Sequence, residues 1–328
     1  MLAIARRCVP VGIFQLGLVL AASACRDSTD PSSEGVGHPA GVIASTLPVS
    51  GRPYGVASVS DRFCVSQIDA DGVVCGTVTA SSATLGTTVV VGRTPAHVAL
   101  SADGRTAYTA DQTGNSMSVV DVQAGRTIAT VPLLDVGFNV LADQSGTRVY
   151  VATTGGTLDV IDAGTRQVLA KLPVGASANG LALDATLGVL YVSSVATNKI
   201  TAVSTSTNTV LKSYEVGGKP QSIALSPDRT LLYIASEAAG FEVLHLDNGI
   251  RNIAANVSPG AVGLALSPDG TRVYLTNPSL GLVYIIDPAT RTVVKTLTGL
   301  ASPRSVVFTR GGAAALVTGE GGVVYVVR

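Results

Sequence analysis

The chain has no tryptophan, three histidines, four cysteines and only 13% charged residues. Each shortage removes a class of protein. Cys-x-x-Cys, Cys-x-x-Cys-His and His-x-x-x-His are all absent, which argues against zinc sites and covalently attached haem. No Gly-x-Ser-x-Gly nucleophile elbow occurs. Glycine clusters such as Gly319-Glu320-Gly321-Gly322 have no helical pattern after them, so they read as turns rather than phosphate loops. Lys plus Arg equals Asp plus Glu at 22 each, which withholds the basic face that general nucleic-acid binding requires. With 46% hydrophobic residues over 328 positions, the chain is too apolar for disorder over most of its length and long enough for a large core.

What is present is strand chemistry. The sequence is rich in Val, Thr and Ala and carries 36 glycines, a bias toward many short strands joined by tight turns. One landmark recurs: an apolar triplet, a turn, then an aromatic-led strand. It appears as Val98-Ala99-Leu100, Ser101-Ala102-Asp103-Gly104 and Tyr108-Thr109-Ala110, and again as Leu264-Ala265-Leu266, Ser267-Pro268-Asp269-Gly270 and Tyr274-Leu275-Thr276-Asn277. The landmark starts at Pro53, Pro95, Gly137, Ala178, Pro220, Ala261 and Pro303, in steps of 42, 42, 41, 42, 41 and 42.

Each unit reads as four strands. The apolar triplet is the first, and the Tyr-led strand, apolar throughout, is the second. The third ends in an acid, as in Val160-Ile161-Asp162 and Tyr284-Ile285-Ile286-Asp287. The fourth is of the type Thr292-Val293-Val294-Lys295-Thr296-Leu297. Four short antiparallel strands in a repeat of this length make a propeller blade. The seventh unit ends at its third strand, and Val42-Ile43-Ala44-Ser45-Thr46-Leu47-Pro48-Val49 supplies the missing fourth. The expected fold is an all-β, seven-bladed β-propeller over residues 42–328, closed by its N-terminal strand, which removes a sheet edge that invites aggregation.

With Leu-Ser-Pro-Asp-Gly, Tyr-Val-Thr-Asn-like and Val-Ile-Asp-x-x-Thr-like segments in place, and residues 267–297 matching best, the chain resembles the YVTN-repeat propellers, close to the quinoprotein-amine-dehydrogenase-like group. Blade one departs most, with Phe63-Cys64 for Tyr-Val, and blade seven has Leu316-Val317-Thr318-Gly319 without the aromatic. The resemblance implies an extracytoplasmic binding scaffold and no one activity.

Arg6, Arg7 and the apolar Val9 to Ala22 read as a signal peptide over residues 1–24, too short to span a bilayer. Ala22-Ser23-Ala24-Cys25 resembles the bacterial lipobox, with Ala22 where that pattern prefers Leu. Lipidation of Cys25 is the expectation, and cleavage as an ordinary signal peptide, with secretion, is the alternative. In a diderm bacterium Arg26 favours the outer membrane. Residues 25–41, rich in Ser, Pro, Gly and Asp near their start, read as a flexible tether. Cys64 and Cys75 flank Ile68-Asp69-Ala70-Asp71-Gly72, a hairpin signal. With Asp69-Ala70 as the loop they stand opposite one another, the placement a disulfide requires, and export supplies the oxidising compartment. Two buried free thiols are the alternative.

The acids Asp121, Asp162, Asp247 and Asp287, like Asp103, Asp228 and Asp269, each precede or sit in a turn and are expected to accept backbone N–H bonds. Blade four has Ser204 in place of the third-strand Asp. Ligands of propellers enter at the channel mouth, beside the start of each first strand. The residues there are Arg52, Tyr54, Arg93, His97, Asp135, Phe138, Asn139, Asn179, Lys219, Gln221 and Arg304. Arg93, His97, Lys219 and Arg304 could receive an anion, and Asp135, Asn139 and Asn179 a cation such as calcium. Solvated loop side chains are the competing account. No cofactor and no catalytic residue is assigned. The leading expectation is a non-catalytic envelope scaffold whose partner is a protein or polysaccharide, which meets the membrane only through its lipid and takes no nucleic acid. The alternative is a lactonase-like hydrolase using His97, Asn139 and Asn179. A redox quinoprotein is disfavoured by the missing tryptophan and haem motif.

Overall fold

The computed structural model describes residues 37–254 and 256–328. The signal peptide expected over 1–24, the lipidation expected at Cys25 and the tether up to residue 36 lie outside the described residues.

Seven four-stranded antiparallel sheets form the propeller. Their innermost strands are Pro53–Val59, Pro95–Leu100, Gly137–Ala142, Ala178–Asp184, Pro220–Leu225, Leu264–Leu266 and Pro303–Phe308. Six of the seven landmarks open such a strand, and Ala261 stands just ahead of Leu264. The last sheet is completed by Ile43–Pro48, which pairs antiparallel with Val323–Val327, Thr46 facing Tyr325. Val42 and Arg328 extend that ladder with reciprocal backbone hydrogen bonds of 2.7 and 2.8 Å.

The second and third strands are buried on both faces because each blade is covered by a neighbour on either side. The hydrophobic interior is therefore divided into seven slabs, one between each pair of adjacent blades. The repeated tyrosine always faces forward. Tyr108 enters the slab with blade three, Tyr150 that with blade four, Tyr191 with blade five, Tyr233 with blade six and Tyr274 with blade seven. Burying a large side chain of this kind contributes roughly 1.5–3 kcal/mol.

Register corrects the alignment of blade one. Tyr108 pairs with Ala99 and Tyr150 with Leu141, and the residue in that place in blade one, opposite Ala57, is Cys64 and not Phe63. Cys64 is bonded to Cys75, directly opposite on the third strand, with 4.0 Å between Cα atoms. The disulfide thus occupies the forward-facing place that an aromatic ring fills in blades two to six, and packs there against Val98, Leu100 and Val120. Leu316 holds the same place in blade seven.

Two residues beyond that position lies a hydroxyl in four blades. Ser66, Ser193, Thr276 and Thr318 each accept a backbone N–H from the first strand of their own blade or the residue just ahead of it, at Gly55, Gly180, Gly263 and Ser305, over 2.7–2.9 Å. Each also donates to a carbonyl on the first strand of the next blade: Ala96 (2.7 Å), Gln221 (2.6 Å), Arg304 (2.8 Å) and Tyr54 (2.7 Å). Blades two, three and five have Ala110, Ala152 and Ala235 there. These hydroxyls staple inner strand to inner strand, and Thr318 does so across the closure. Gly55 and Gly180 are needed for the approach: a Cβ on Gly55 would lie 2.7 Å from His97 Cα, and one on Gly180 2.4 Å from the Gln221 carbonyl.

The turn acids behave as expected in most blades. Asp121, Asp162 and Asp287 accept N–H bonds of 2.7–3.2 Å from residues two or three further on, and Ser204 substitutes for the acid by accepting from Thr207. In blade five the turn is capped through Asn248, which accepts from Ile250. The expected tether ends in a seat rather than free chain. Gly37 N–H donates to Gly311, the Tyr274 hydroxyl to Pro39 and Lys295 Nζ to Ala40, and His38 Nδ1 lies 2.7 Å from Asp269. Burial alone would raise the Asp269 carboxyl, but hydrogen bonds from His38, Ser267 and Thr271 outweigh it and hold the group well below the usual range.

Removing residues 42–49 strips the outer strand from blade seven and one wall from its slab, so the truncated chain is expected to lose cooperative unfolding. A melting curve matching the full chain would refute closure by this strand. Thr318→Val keeps the shape but orphans the Ser305 N–H and the Tyr54 carbonyl, and is expected to cost about 1–3 kcal/mol in urea denaturation. An unchanged midpoint would remove the staple from the account.

Candidate ligand site at the channel mouth

Each inner strand is paired on one side only, so its other edge faces the axis. The channel that results holds a cavity of about 350 Å³ lined by residues from all seven inner strands or the segments leading into them. A second cavity of about 560 Å³ opens at the far end, lined by hairpin turns including Ser60, Ala102, Gln144 and Arg310. Ser58, Val59, Leu100 and Ala142 line both.

A register shift follows the first residue of the inner strand in six blades, for example between Pro95 and Val98 and between Pro303 and Val306. Such a bulge re-aims the side chains within it. In this fold those side chains sit at the mouth. His97, Phe138, Asn139, Asn179, Ser222 and Arg304 line the cavity. The rings of Tyr54, His97 and Phe138, from three successive blades, meet edge-on or tilted, with centroids 5.4–6.3 Å apart. Tyr54 is buried, with Ile68, Ala96 and Phe138 around it.

Arg304 lies over the Tyr54 ring, 4.3 Å from its centroid, and donates to the Tyr54 hydroxyl. Its other Nη is 3.4 Å from Glu320, which also receives Arg52 at 3.2 Å. Arg52 reaches Asp69 as well, at 3.1 Å. On the opposite side of the mouth, the Asn179 amide donates to Gln221 and the Gln221 amide to Glu237. Asn139 Oδ1 accepts from Val140 N–H. Burial pushes the Tyr54 phenol up despite Arg304 beside it, so it stays protonated. The His97 imidazole is pushed down to about 3, chiefly by desolvation in this enclosed corner and further by the Arg304 charge.

The structure thus brings together Tyr54, His97, Phe138, Asn139, Asn179, Gln221 and Arg304. It does not gather the cationic set. His97 is neutral, Arg304 is countered by Glu320, Lys219 lies 3.7 Å from Glu237, and Arg93 is exposed outside the cavity lining. Nor does it gather the oxygen set. Asp135 turns its carboxylate to Thr153 and to Val136 N–H, outside the cavity lining. Among the described residues, no group of three or more His, Cys, Asp or Glu side chains is placed to hold a metal ion. Sequence reasoning missed the buttressing acids Glu237 and Glu320. Both follow the second strand of their blade by one residue, after Ser236 and Gly319, so superposing the repeats would have exposed them.

His97 gives a pH signature. An unfolded histidine binds a proton near pH 6.5, whereas the folded one resists protonation to about 3. Between these values the unfolded chain holds more protons, so this contribution is complete above about pH 6.5 and is lost as pH falls toward 3. The melting temperature of the protein is expected to fall faster than that of His97→Gln between pH 7 and pH 4. Parallel curves would contradict a desolvated imidazole.

No family model matches the chain, and no curated protein does. Among solved structures it is similar to a chain of hydrazine synthase from Kuenenia stuttgartiensis, with a TM-score of 0.76 and 16% identity, over 88% of this chain and 98% of that one. Identity that low speaks for shared architecture and leaves the chemistry of the two proteins unconnected. The chain is a seven-bladed β-propeller of four-stranded blades, closed by its N-terminal strand and bridged by Cys64–Cys75.

Proposed function

We propose that the protein is a non-catalytic binding propeller of the bacterial cell envelope, anchored by a lipid on Cys25, that takes its ligand at the channel mouth. The observation that carries the reading is the construction of that mouth. A ligand-sized cavity is lined by aromatic and amide side chains and by Arg304, and two of the lining residues are backed by further ones: Tyr54 and Glu320 behind Arg304, Gln221 and Glu237 behind Asn179. Resemblance to the YVTN-repeat propellers and the Ala-Ser-Ala-Cys segment support the envelope address.

A lactonase-like hydrolase is the second reading, favoured by His97, Asn139 and Asn179 lining one cavity. It is the weaker one. A general base works best with a pKa near the operating pH, and His97, packed against the rings of Tyr54 and Phe138, is held far below it.

In the producing bacterium the protein is expected in the membrane fraction and labelled by a clickable fatty acid. Cys25→Ser should move it to the soluble fraction, unlabelled, with an unchanged melting temperature. Wild-type protein found soluble and unlabelled would refute the anchor. Turnover of a lactone panel, abolished by His97→Gln, would replace the binding role by the hydrolytic one.

A further inference from the structure

We propose that the channel mouth binds a neutral sugar residue, the end or side branch of a glycan. The inference rests on the channel-mouth reading and names its ligand class. A pyranose presents two kinds of surface. Its C–H face is weakly positive and apolar, and packs on the negative face of an aromatic ring. Its rim of hydroxyls both donates and accepts, and is matched by groups that do the same. The mouth offers both, side by side.

The rings of His97 and Phe138, 5.4 Å apart and tilted by 60°, form a shallow aromatic wall with Tyr54 packed behind. Beside it stand Asn139 and Asn179, with Ser222 and Arg304 completing the rim of the same cavity. Amides donate and accept at once, and a guanidinium carries five N–H donors, only some of them used by Tyr54 and Glu320.

Charge sorts the ligand classes. The one formally charged side chain lining the cavity among the described residues is Arg304, and Glu320 already offsets it. A carboxylate, phosphate or ammonium would enter without an uncompensated partner, whereas a polyol leaves the existing ion pairs intact. At about 350 Å³ the cavity falls at the small end of ligand pockets, roughly 300–1,000 Å³. The staples from Ser66, Ser193, Thr276 and Thr318 hold the backbone at Ala96, Gln221, Arg304 and Tyr54, so the mouth is ordered before the ligand arrives. Such preorganisation reduces the entropy lost on binding.

The test is a binding screen of the purified full-length protein. Neutral oligosaccharides of glucose, galactose, mannose and N-acetylglucosamine are compared with uronic-acid and sulfated glycans, and hits are titrated by calorimetry. A neutral glycan is expected to bind. Phe138→Leu, which keeps the bulk and removes the ring, should weaken it by about tenfold. Phe138→Tyr should retain binding, and Arg310→Ala at the far end should leave it unchanged. Binding of acidic glycans alone, lost in Phe138→Leu, would overturn the neutral class while leaving the mouth as the site. Failure of every glycan, with a protein partner captured by a photo-crosslinker at position 138, would overturn the glycan and keep the mouth. Glycan binding indifferent to Phe138→Leu would overturn both.

Discussion

The covering of each blade by its neighbours is the constraint on which the rest depends. A four-stranded sheet whose middle strands are apolar on both faces needs a wall on either side. Six such walls come for free when seven blades follow one another. The seventh must be made by joining the ends of the domain, and the contact of Ile43–Pro48 with Val323–Val327 makes it. The slab between blades seven and one shows what hangs on this. Val49, next to the closing strand, packs there with Phe63, Val65, Leu316 and Val326. Opening the ring would expose that slab and leave blade seven with a bare edge.

Closure also explains the form of the channel. Bringing seven inner strands around an axis places seven backbone edges close together, and those edges must be held. Hydroxyl staples hold four of the seven junctions, and small residues such as Gly55 and Gly180 let the strands come near enough for the staples to reach. Three of the stapled carbonyls belong to mouth residues themselves, Tyr54, Gln221 and Arg304, and the fourth, at Ala96, immediately precedes His97. Repetition therefore fixes the frame, while the bulge at the start of six of the seven inner strands is where the blades differ: Tyr54, His97, Phe138 with Asn139, Asn179, Gln221 and Arg304. Structural sameness and chemical difference lie on the same residue or on adjacent ones along the same strand.

Much of this was legible in the sequence. The repeat phase, the closing strand, the Cys64–Cys75 pairing and the roles of Asp121, Asp162 and Asp287 all follow from spacing, because strand and turn impose a period. Spacing loses its grip where register shifts. Phe63 aligns with the tyrosines by its aromatic character, yet pairing with Ala57 gives that place to Cys64. The mouth residues could be named from their position, but their grouping could not. Whether Asp135 faces the axis or its own turn depends on a carboxylate choosing Thr153, and no periodicity encodes that. The seat of residues 37–41 was hidden for the opposite reason. Those residues have the composition of a linker and are held by partners far away in sequence, Asp269, Tyr274, Lys295 and Gly311.

The buttressing acids give the mouth its character. Glu320 and Glu237 stand at equivalent turns of blades seven and five and each reaches inward to a polar side chain, Arg304 or Gln221. Without Glu320, Arg304 would present an open positive charge to the cavity, and the mouth would select anions. With it, the guanidinium is oriented and its charge locally offset, and what remains available is hydrogen-bonding capacity. The same holds for His97, whose enclosure keeps it neutral and leaves the ring as a surface rather than a charge. A site whose charges are cancelled from behind discriminates by shape and hydrogen bonding, which act at short range and resist screening by salt.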